Sequence, residues 1–84
     1  MTKITSYNDQ ELLRLIMEHR NHGAFEVLYQ RHFDPIFRYV FKVMQDREAA
    51  EDVAQNIFIS LWNKPPTLTY ISLLPYLFGA ARNK

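Results

Sequence analysis

Apolar residues recur along this chain every three to four positions, which is the spacing of one face of an α-helix. The pattern divides the chain into four predicted helices. The first follows the candidate N-cap residues Ser6 and Asn8 and extends to about Arg20, where an Asn-His-Gly run at 21–23 interrupts it. Its predicted inward face consists of Leu12, Leu13, Ile16 and Met17.

The second predicted helix covers about 24–45 and contains Pro35. A proline removes one backbone donor and crowds the carbonyl four residues earlier. Because the apolar stripe continues in phase through Pro35, we expect a kink rather than a helix end. The stripe consists of Phe25, Leu28, Tyr29, His32, Phe33, Ile36, Phe37, Val40 and Met44.

The third predicted helix has the clearest pattern. Asp46 is placed to cap it, Glu48 suits the positive end of its dipole, and Pro65 and Pro66 end it. Its apolar stripe repeats at i, i+1, i+4 and i+5 without interruption. The members are Ala49, Ala50, Val53, Ala54, Ile57, Phe58, Leu61 and Trp62.

A loop of about eight residues, Lys64 to Ile71, leads to a fourth helix that is predicted to start near Ser72 with Pro75 in its first turn. Its expected inward residues are Leu74, Leu77, Phe78 and Ala81. The pattern therefore predicts an all-α fold, a compact four-helix bundle forming one domain over residues 1–84. Since no stop signal follows the fourth helix, we expect the chain to be part of a longer protein.

Composition narrows the classes of protein that fit. Apolar residues make up 48% and charged residues 23%, which is typical of a folded domain. The absence of cysteine excludes disulfide scaffolds and thiolate metal sites. The longest uncharged stretch, Pro65 to Ala81, is too short and too rich in proline to span a bilayer, and the N-terminus lacks the apolar run of a signal peptide. We expect a cytoplasmic protein without membrane insertion.

Catalytic and metal-binding patterns are weak. Zinc usually needs three or four well-placed ligands, and the histidines number three, of which His32 lies on the apolar stripe and is expected to be partly buried. The carboxylates of Glu48, Glu51 and Asp52 stand at a helix start, where acids are expected for electrostatic reasons. No phosphate-binding glycine loop or nucleophile motif is present. We predict no enzymatic activity, no metal and no cofactor.

Two surfaces stand out, and each allows two interpretations. The outward face of the third helix is either solvated or a protein-binding face with Ile59 as its apolar anchor. The end of the chain is either a nucleic-acid surface that combines aromatic and basic groups, or a plain helix end in which Tyr76 packs in the core. The first face comprises Asp52, Gln55, Asn56, Ile59 and Asn63, and the second Tyr70, Tyr76, Arg82, Asn83 and Lys84.

The segment "AEDVAQNIFISLW" (Ala50 to Trp62) and the ending "AARN" (Ala80 to Asn83) resemble region two of the bacterial sigma factors of the sigma-70 family, with the extracytoplasmic-function group the most similar. The resemblance extends over roughly Asp9 to Lys84. It implies a four-helix promoter-recognition domain of a transcription initiation factor, followed in the complete protein by a C-terminal helix-turn-helix domain.

The resemblance also implies partners and site residues. The third helix is expected to dock on the β′ clamp helices of core RNA polymerase. Asp52, Gln55 and Asn56 fall on the docking positions, and Ile59 lies one turn further on. Many relatives carry an acid where this chain has Asn56, so the docking is expected to depend more on Asp52.

By the same resemblance, the loop and the fourth helix recognise and melt the promoter −10 element by capturing non-template strand DNA. Arg82 and Asn83 match positions that contact the DNA backbone or upstream DNA. Further DNA contacts are expected from Lys64, Thr69, Tyr70 and Ser72. An anti-sigma factor is expected as an inhibitor. The alternative is a helical protein-interaction module, such as an adaptor or regulator, that binds no DNA.

Overall fold

A computed structural model of the chain describes residues 4–67 and 72–82. It confirms the all-α prediction, and no strand occurs within these ranges. A short 3-10 turn precedes four helices. The turn is Ile4–Ser6, and the helices are α1 (Asp9–His19), α2 (His22–Met44), α3 (Arg47–Asn63) and α4 (Leu73–Arg82).

Side-chain caps set the boundary between α1 and α2. Asn8, rather than Ser6, caps α1: the Glu11 amide donates to Asn8 Oδ1 at 2.8 Å, and the Asn8 amide donates to Glu11 Oε1 at 3.0 Å. The helix ends where Arg20 adopts a left-handed conformation, with φ 50°. The predicted interruption at 21–23 is shorter than expected, because Asn21 already caps α2 through the Ala24 amide.

Helix α2 is the centre of the bundle and packs against α1, α3 and α4. It continues through Pro35, as predicted, and ends at Met44, after which Gln45 takes φ 60°. Rings at every fourth position form a continuous aromatic ladder along it. The ladder consists of Phe25, Tyr29, Phe33, Phe37 and Phe41.

The ladder packs on α3. The fully buried Phe58 ring lies 5.0 Å from the Tyr29 ring and 6.0 Å from the Phe33 ring, centroid to centroid. No polar side chain is buried among the described residues, so apolar burial and backbone hydrogen bonds hold the bundle. The largest fully buried side chains are Phe58, Leu12, Ile16, Leu28, Ile36, Leu61, Leu73 and Leu77.

The structure departs from the predicted inward faces at two helix ends and in α4. Met17 and Met44 are 47% and 42% exposed, because each lies near a helix end where no further element covers it. In α4 the buried face consists of Leu73, Leu77 and Ala81, so Leu73 takes the inward place predicted for Leu74. Leu74 and Phe78 are half-buried and pack against this core from the side.

A polar cluster fastens the N-terminal turn to α2. The Asp9 carboxylate lies 3.0 Å from Arg31 Nη1 and 2.9 Å from His32 Nε2. Arg31 also donates to the carbonyls of Thr5 and Tyr7, both at 2.7 Å. His32 is partly buried, as expected, and its Nε2 atom forms a hydrogen bond with the Asp9 carboxylate.

Candidate functional site

The outward face of α3 carries four exposed side chains at i, i+3, i+4 and i+7. Residues at this spacing share one face of a helix. Helix α3 extends from Arg47 to Asn63, and Asp46 caps its start by accepting from the Ala49 amide at 3.1 Å. Its opposite face is buried along Ala50, Ala54, Ile57, Phe58 and Leu61, as the sequence predicts. The exposed set is Asp52, Gln55, Asn56 and Ile59.

The chemistry of this face suits a protein partner. Ile59 is 52% exposed, and its apolar surface sits beside two amide side chains. Asp52 forms no ion pair within the described part of the chain, whereas its neighbour Glu51 lies 3.5 Å from Arg47 Nε. The face thus offers one unpaired carboxylate, amide donors and acceptors, and one apolar anchor.

The second predicted surface is described in part. Lys64 follows the last residue of α3, Ser72 precedes α4, and Arg82 ends it; all three are exposed. Thr69, Tyr70 and Asn83, which were also predicted to contact DNA, lie outside the described residues.

Tyr76 is 41% exposed, so the interpretation that it packs in the core is wrong. The physical reason is that Leu73, Leu77 and Ala81 occupy the buried face of α4 at i, i+4 and i+8. Tyr76 and Arg82 lie about 120° apart around the helix, so they do not form one surface.

Arg82 instead lies at a cleft between the ends of α2 and α4. The cleft has a volume of about 180 Å³ and is largely apolar, with Arg82 as its cation. Val43, 67% exposed, and Met44 line it together with Tyr39, Val40, Val53 and Ala81.

The titratable residues of the described ranges form no cluster of the size that metal binding usually needs. Nowhere in the described ranges do three His, Asp or Glu side chains come together. His19 is highly exposed, His22 stacks on Trp62 and His32 contacts Asp9. Burial, and secondarily the Glu51 carboxylate, raises the pKa of the Tyr29 hydroxyl above its ordinary 10.0.

One contact near the predicted DNA-binding loop escaped the sequence analysis. The guanidinium carbon of Arg20 lies 4.0 Å from the centroid of the Trp62 ring, and Arg20 Nη1 donates to the Trp62 carbonyl at 2.7 Å. The two residues are 42 positions apart, and no spacing rule links them. The sequence shows that Arg20 follows the first helix, but it does not show that Trp62 is the partner of Arg20.

Searches of known proteins bear on these surfaces. The family model described as Sigma-70 region 2 matches residues 28–84, which is 57 of the 84 residues and includes all the predicted site residues. A search of curated proteins gave no match, and neither did a search of solved structures. None of the helices in the described ranges combines the length and hydropathy needed to cross a membrane.

Proposed function

Since this chain belongs to the sigma-70 region 2 family, whose role is transcription initiation and promoter recognition, we propose that its α3 face docks on core RNA polymerase and that its loop and α4 capture melted promoter DNA. The polymerase element would be the β′ clamp helices, and the DNA would be the non-template strand of the −10 element. In this role the chain forms and breaks no covalent bond; it stabilises the open strand by binding.

The observation that carries the docking proposal is the exposed α3 face within the family-matched segment. Asp52 is free to pair with a basic clamp residue, and Gln55 and Asn56 can form directional hydrogen bonds. Ile59 supplies apolar area beside these polar groups. Polar groups around an apolar anchor are the usual composition of a small, specific protein interface.

The charge of the chain supports the DNA part of the proposal. Residues 64–84 carry Lys64, Arg82 and Lys84 and no acid, so the loop and α4 attract phosphates. Lys64 and Arg82 are exposed and available for this contact. The amide of Asn83 and the hydroxyls of Thr69 and Tyr70 belong to the same proposal on the strength of the sequence motif.

The finer assignments follow from the same premise. We assign the chain to the extracytoplasmic-function group, acting in the cytoplasm within a longer protein that carries a helix-turn-helix domain. An anti-sigma factor would then control it by covering one or both surfaces. These assignments rest on the resemblance of "AEDVAQNIFISLW" and "AARN" to that group.

The proposal predicts a specific loss of polymerase binding. The double variant Asp52→Ala/Gln55→Ala should bind a fragment of the β′ clamp helices at least about fivefold more weakly, since truncating the few residues that dominate an interface costs more than about 1 kcal/mol each. The measurement is an NMR titration of the labelled chain at moderate salt. In the wild type, the shifts should concentrate at Asp52, Gln55, Asn56 and Ile59.

A matched control is Glu26→Ala/Gln30→Ala, an acid and an amide that are likewise exposed but lie on α2. This control should leave the affinity unchanged, and both variants should keep the wild-type helix content. Equal affinity of all three proteins would reject the docking face. Absence of any shift in the wild type would favour an adaptor or regulator that has this fold but another partner.

A further inference from the structure

The side chain of Arg20, which follows α1, contacts the last turn of α3. Arg20 adopts φ 50°, a left-handed conformation that is unfavourable for a side chain with a Cβ atom. Helices commonly end with one residue in this conformation, and the Arg20 amide donates to the Ile16 carbonyl of α1 at 2.9 Å. The side chain of Arg20, by contrast, makes its contacts on α3.

Arg20 holds Trp62 in two ways. Its guanidinium stacks at 4.0 Å from the ring centroid, and Nη1 donates to the Trp62 carbonyl at 2.7 Å. That carbonyl belongs to the last turn of α3, whose oxygens have no partner within the helix. A cation at this end also suits the helix dipole.

The Trp62 ring is packed by other elements as well. The His22 ring stacks on it at a centroid distance of 4.6 Å, and the Phe25 ring meets it edge-on at 5.5 Å. The half-buried Trp62 ring therefore contacts three other residues of the chain, Arg20, His22 and Phe25. Arg20, His22, Phe25 and Trp62 thus form a packed cluster where α1, α2 and α3 meet.

The loop proposed to bind DNA starts at Lys64, two residues after Trp62. The Lys64 amide still donates to the Ser60 carbonyl at 2.9 Å, after which the backbone leaves the helix. Further along, Pro66 and Thr67 lie beside α1 at a cleft that Leu13 and Met17 also line. Two contacts thus flank the start of the loop: Arg20, just after α1, contacts the last turn of α3, and α1 itself lines the cleft with Pro66 and Thr67.

We propose that Arg20 is a positioning residue for the DNA-binding loop. Its guanidinium fixes the last turn of α3 and thereby the direction in which Lys64 to Thr67 leave the helix. The consequence for DNA rests on the proposed function; the effect on the loop does not. A loop held in place before binding loses less conformational freedom when it captures a strand, and the affinity rises accordingly.

The test uses Arg20→Gly, with Gln45→Gly as its matched control. Glycine accepts a positive φ without steric cost, so Arg20→Gly removes the guanidinium while relieving the backbone. Gln45 has φ 60° at the end of α2, and its side chain donates to the Lys42 carbonyl of the same helix, so Gln45→Gly removes a side chain at the same kind of helix end elsewhere. Arg20→Lys keeps the charge but cannot stack and donate in the same planar geometry.

Three quantities are measured: amide hydrogen exchange at Lys64 and Thr67, emission of the single tryptophan, and affinity for single-stranded DNA that the wild-type chain selects from a randomised pool. We expect Arg20→Gly to lower Lys64 protection and DNA affinity by about fivefold each, the equivalent of one net hydrogen bond. Its Trp62 emission should change, and the salt dependence of DNA binding should not. Gln45→Gly should match the wild type, and Arg20→Lys should fall between.

Each contrary result has a distinct meaning. Unchanged exchange at Lys64 in Arg20→Gly would overturn the positioning role, whatever the DNA result. A salt slope reduced by about one, with Arg20→Lys like the wild type, would also overturn it, because Arg20 would then contact phosphate directly. A wild-type chain that selects no DNA would overturn the proposed function, and the exchange rates alone would then decide the role of Arg20.

Discussion

At the scale of single residues, Tyr29 shows how the core constrains a polar group. Its ring lies within the aromatic ladder, 4.8 Å from the Phe33 ring and 5.0 Å from the Phe58 ring. Burial is the main reason that the pKa of its hydroxyl is raised, and the Glu51 carboxylate adds to it. Both causes disfavour the phenolate in the folded state.

This raised pKa predicts an alkaline loss of stability. The stabilisation is fully present below the unfolded-state pKa of 10.0, and it is lost as pH rises through the folded-state pKa, because the unfolded chain releases the proton first. Tyr29→Phe should therefore show a smaller fall in unfolding free energy above pH 10.0 than the wild type. Urea unfolding on both sides of that pH measures the difference.

The control for this prediction is Tyr76→Phe, which changes an exposed ring in the same way. Its alkaline loss should follow that of the wild type. Parallel profiles for Tyr29→Phe and the wild type would show that the Tyr29 hydroxyl titrates alike in the folded and unfolded chains.

At the scale of the helix, α3 connects the two proposed binding surfaces. Its alanines at 50 and 54 are fully buried and allow close approach to α2, while its outer face is exposed and polar around Ile59. The same helix carries the proposed polymerase contacts and ends at the proposed DNA-binding loop. Ile59 and Lys64 are five residues apart, about 7.5 Å along the axis. A shift of α3 would therefore move both surfaces together.

Because α3 depends on its cap, Asp46→Ala should lower the unfolding free energy by about 1 kcal/mol. The carboxylate accepts from the Ala49 amide at 3.1 Å, and alanine would leave that amide unpaired. Thermal or urea unfolding followed by circular dichroism gives the value. Asp46→Asn is the matched control: it retains a capping oxygen, so its stability should lie much closer to the wild type. A neutral Asp46→Ala would mean that tertiary packing, not the cap, fixes the start of α3.

At the scale of the whole molecule, the bundle is an elongated body measuring 43 × 24 × 19 Å, and the 23-residue α2 extends along much of its length. The other helices pack around α2, so their relative positions are set through one element. Arg82, at the end of α4, meets residues of α2 and α3 at the cleft. Its position relative to DNA thus depends on the packing of three helices.

The phosphate contact proposed for Arg82 can be measured by salt dependence. Arg82→Ala should weaken binding to different single-stranded sequences by a similar factor and reduce the salt slope by about one. Titrations at several salt concentrations give both quantities. Arg38→Ala is the control, because Arg38 lies 2.9 Å from Asp34 and its charge is already paired. An unaltered salt slope for Arg82→Ala would show that Arg82 does not contact a DNA phosphate.

The sequence by itself determined the four helices, the buried stripe of α3 and its outward face. These features depend on periodicity, caps and prolines, which act within a few residues of one another. The continuity of α2 through Pro35 was predictable for the same reason: the apolar phase does not change there. The choice of Asn8 over Ser6 as the cap needed the structure, since both had a suitable acid three residues on.

Only the tertiary structure decided which part of each helix is covered by another helix and which side chains become neighbours. A helical wheel places Met17 and Tyr76 near apolar neighbours, but their exposure depends on whether another helix covers that part of the surface. The pairing of Arg20 with Trp62 is decided in the same way, because residues 42 apart come together only when α1 and α3 pack beside α2. Local rules set which elements form; the packing of distant segments sets which side chains become neighbours.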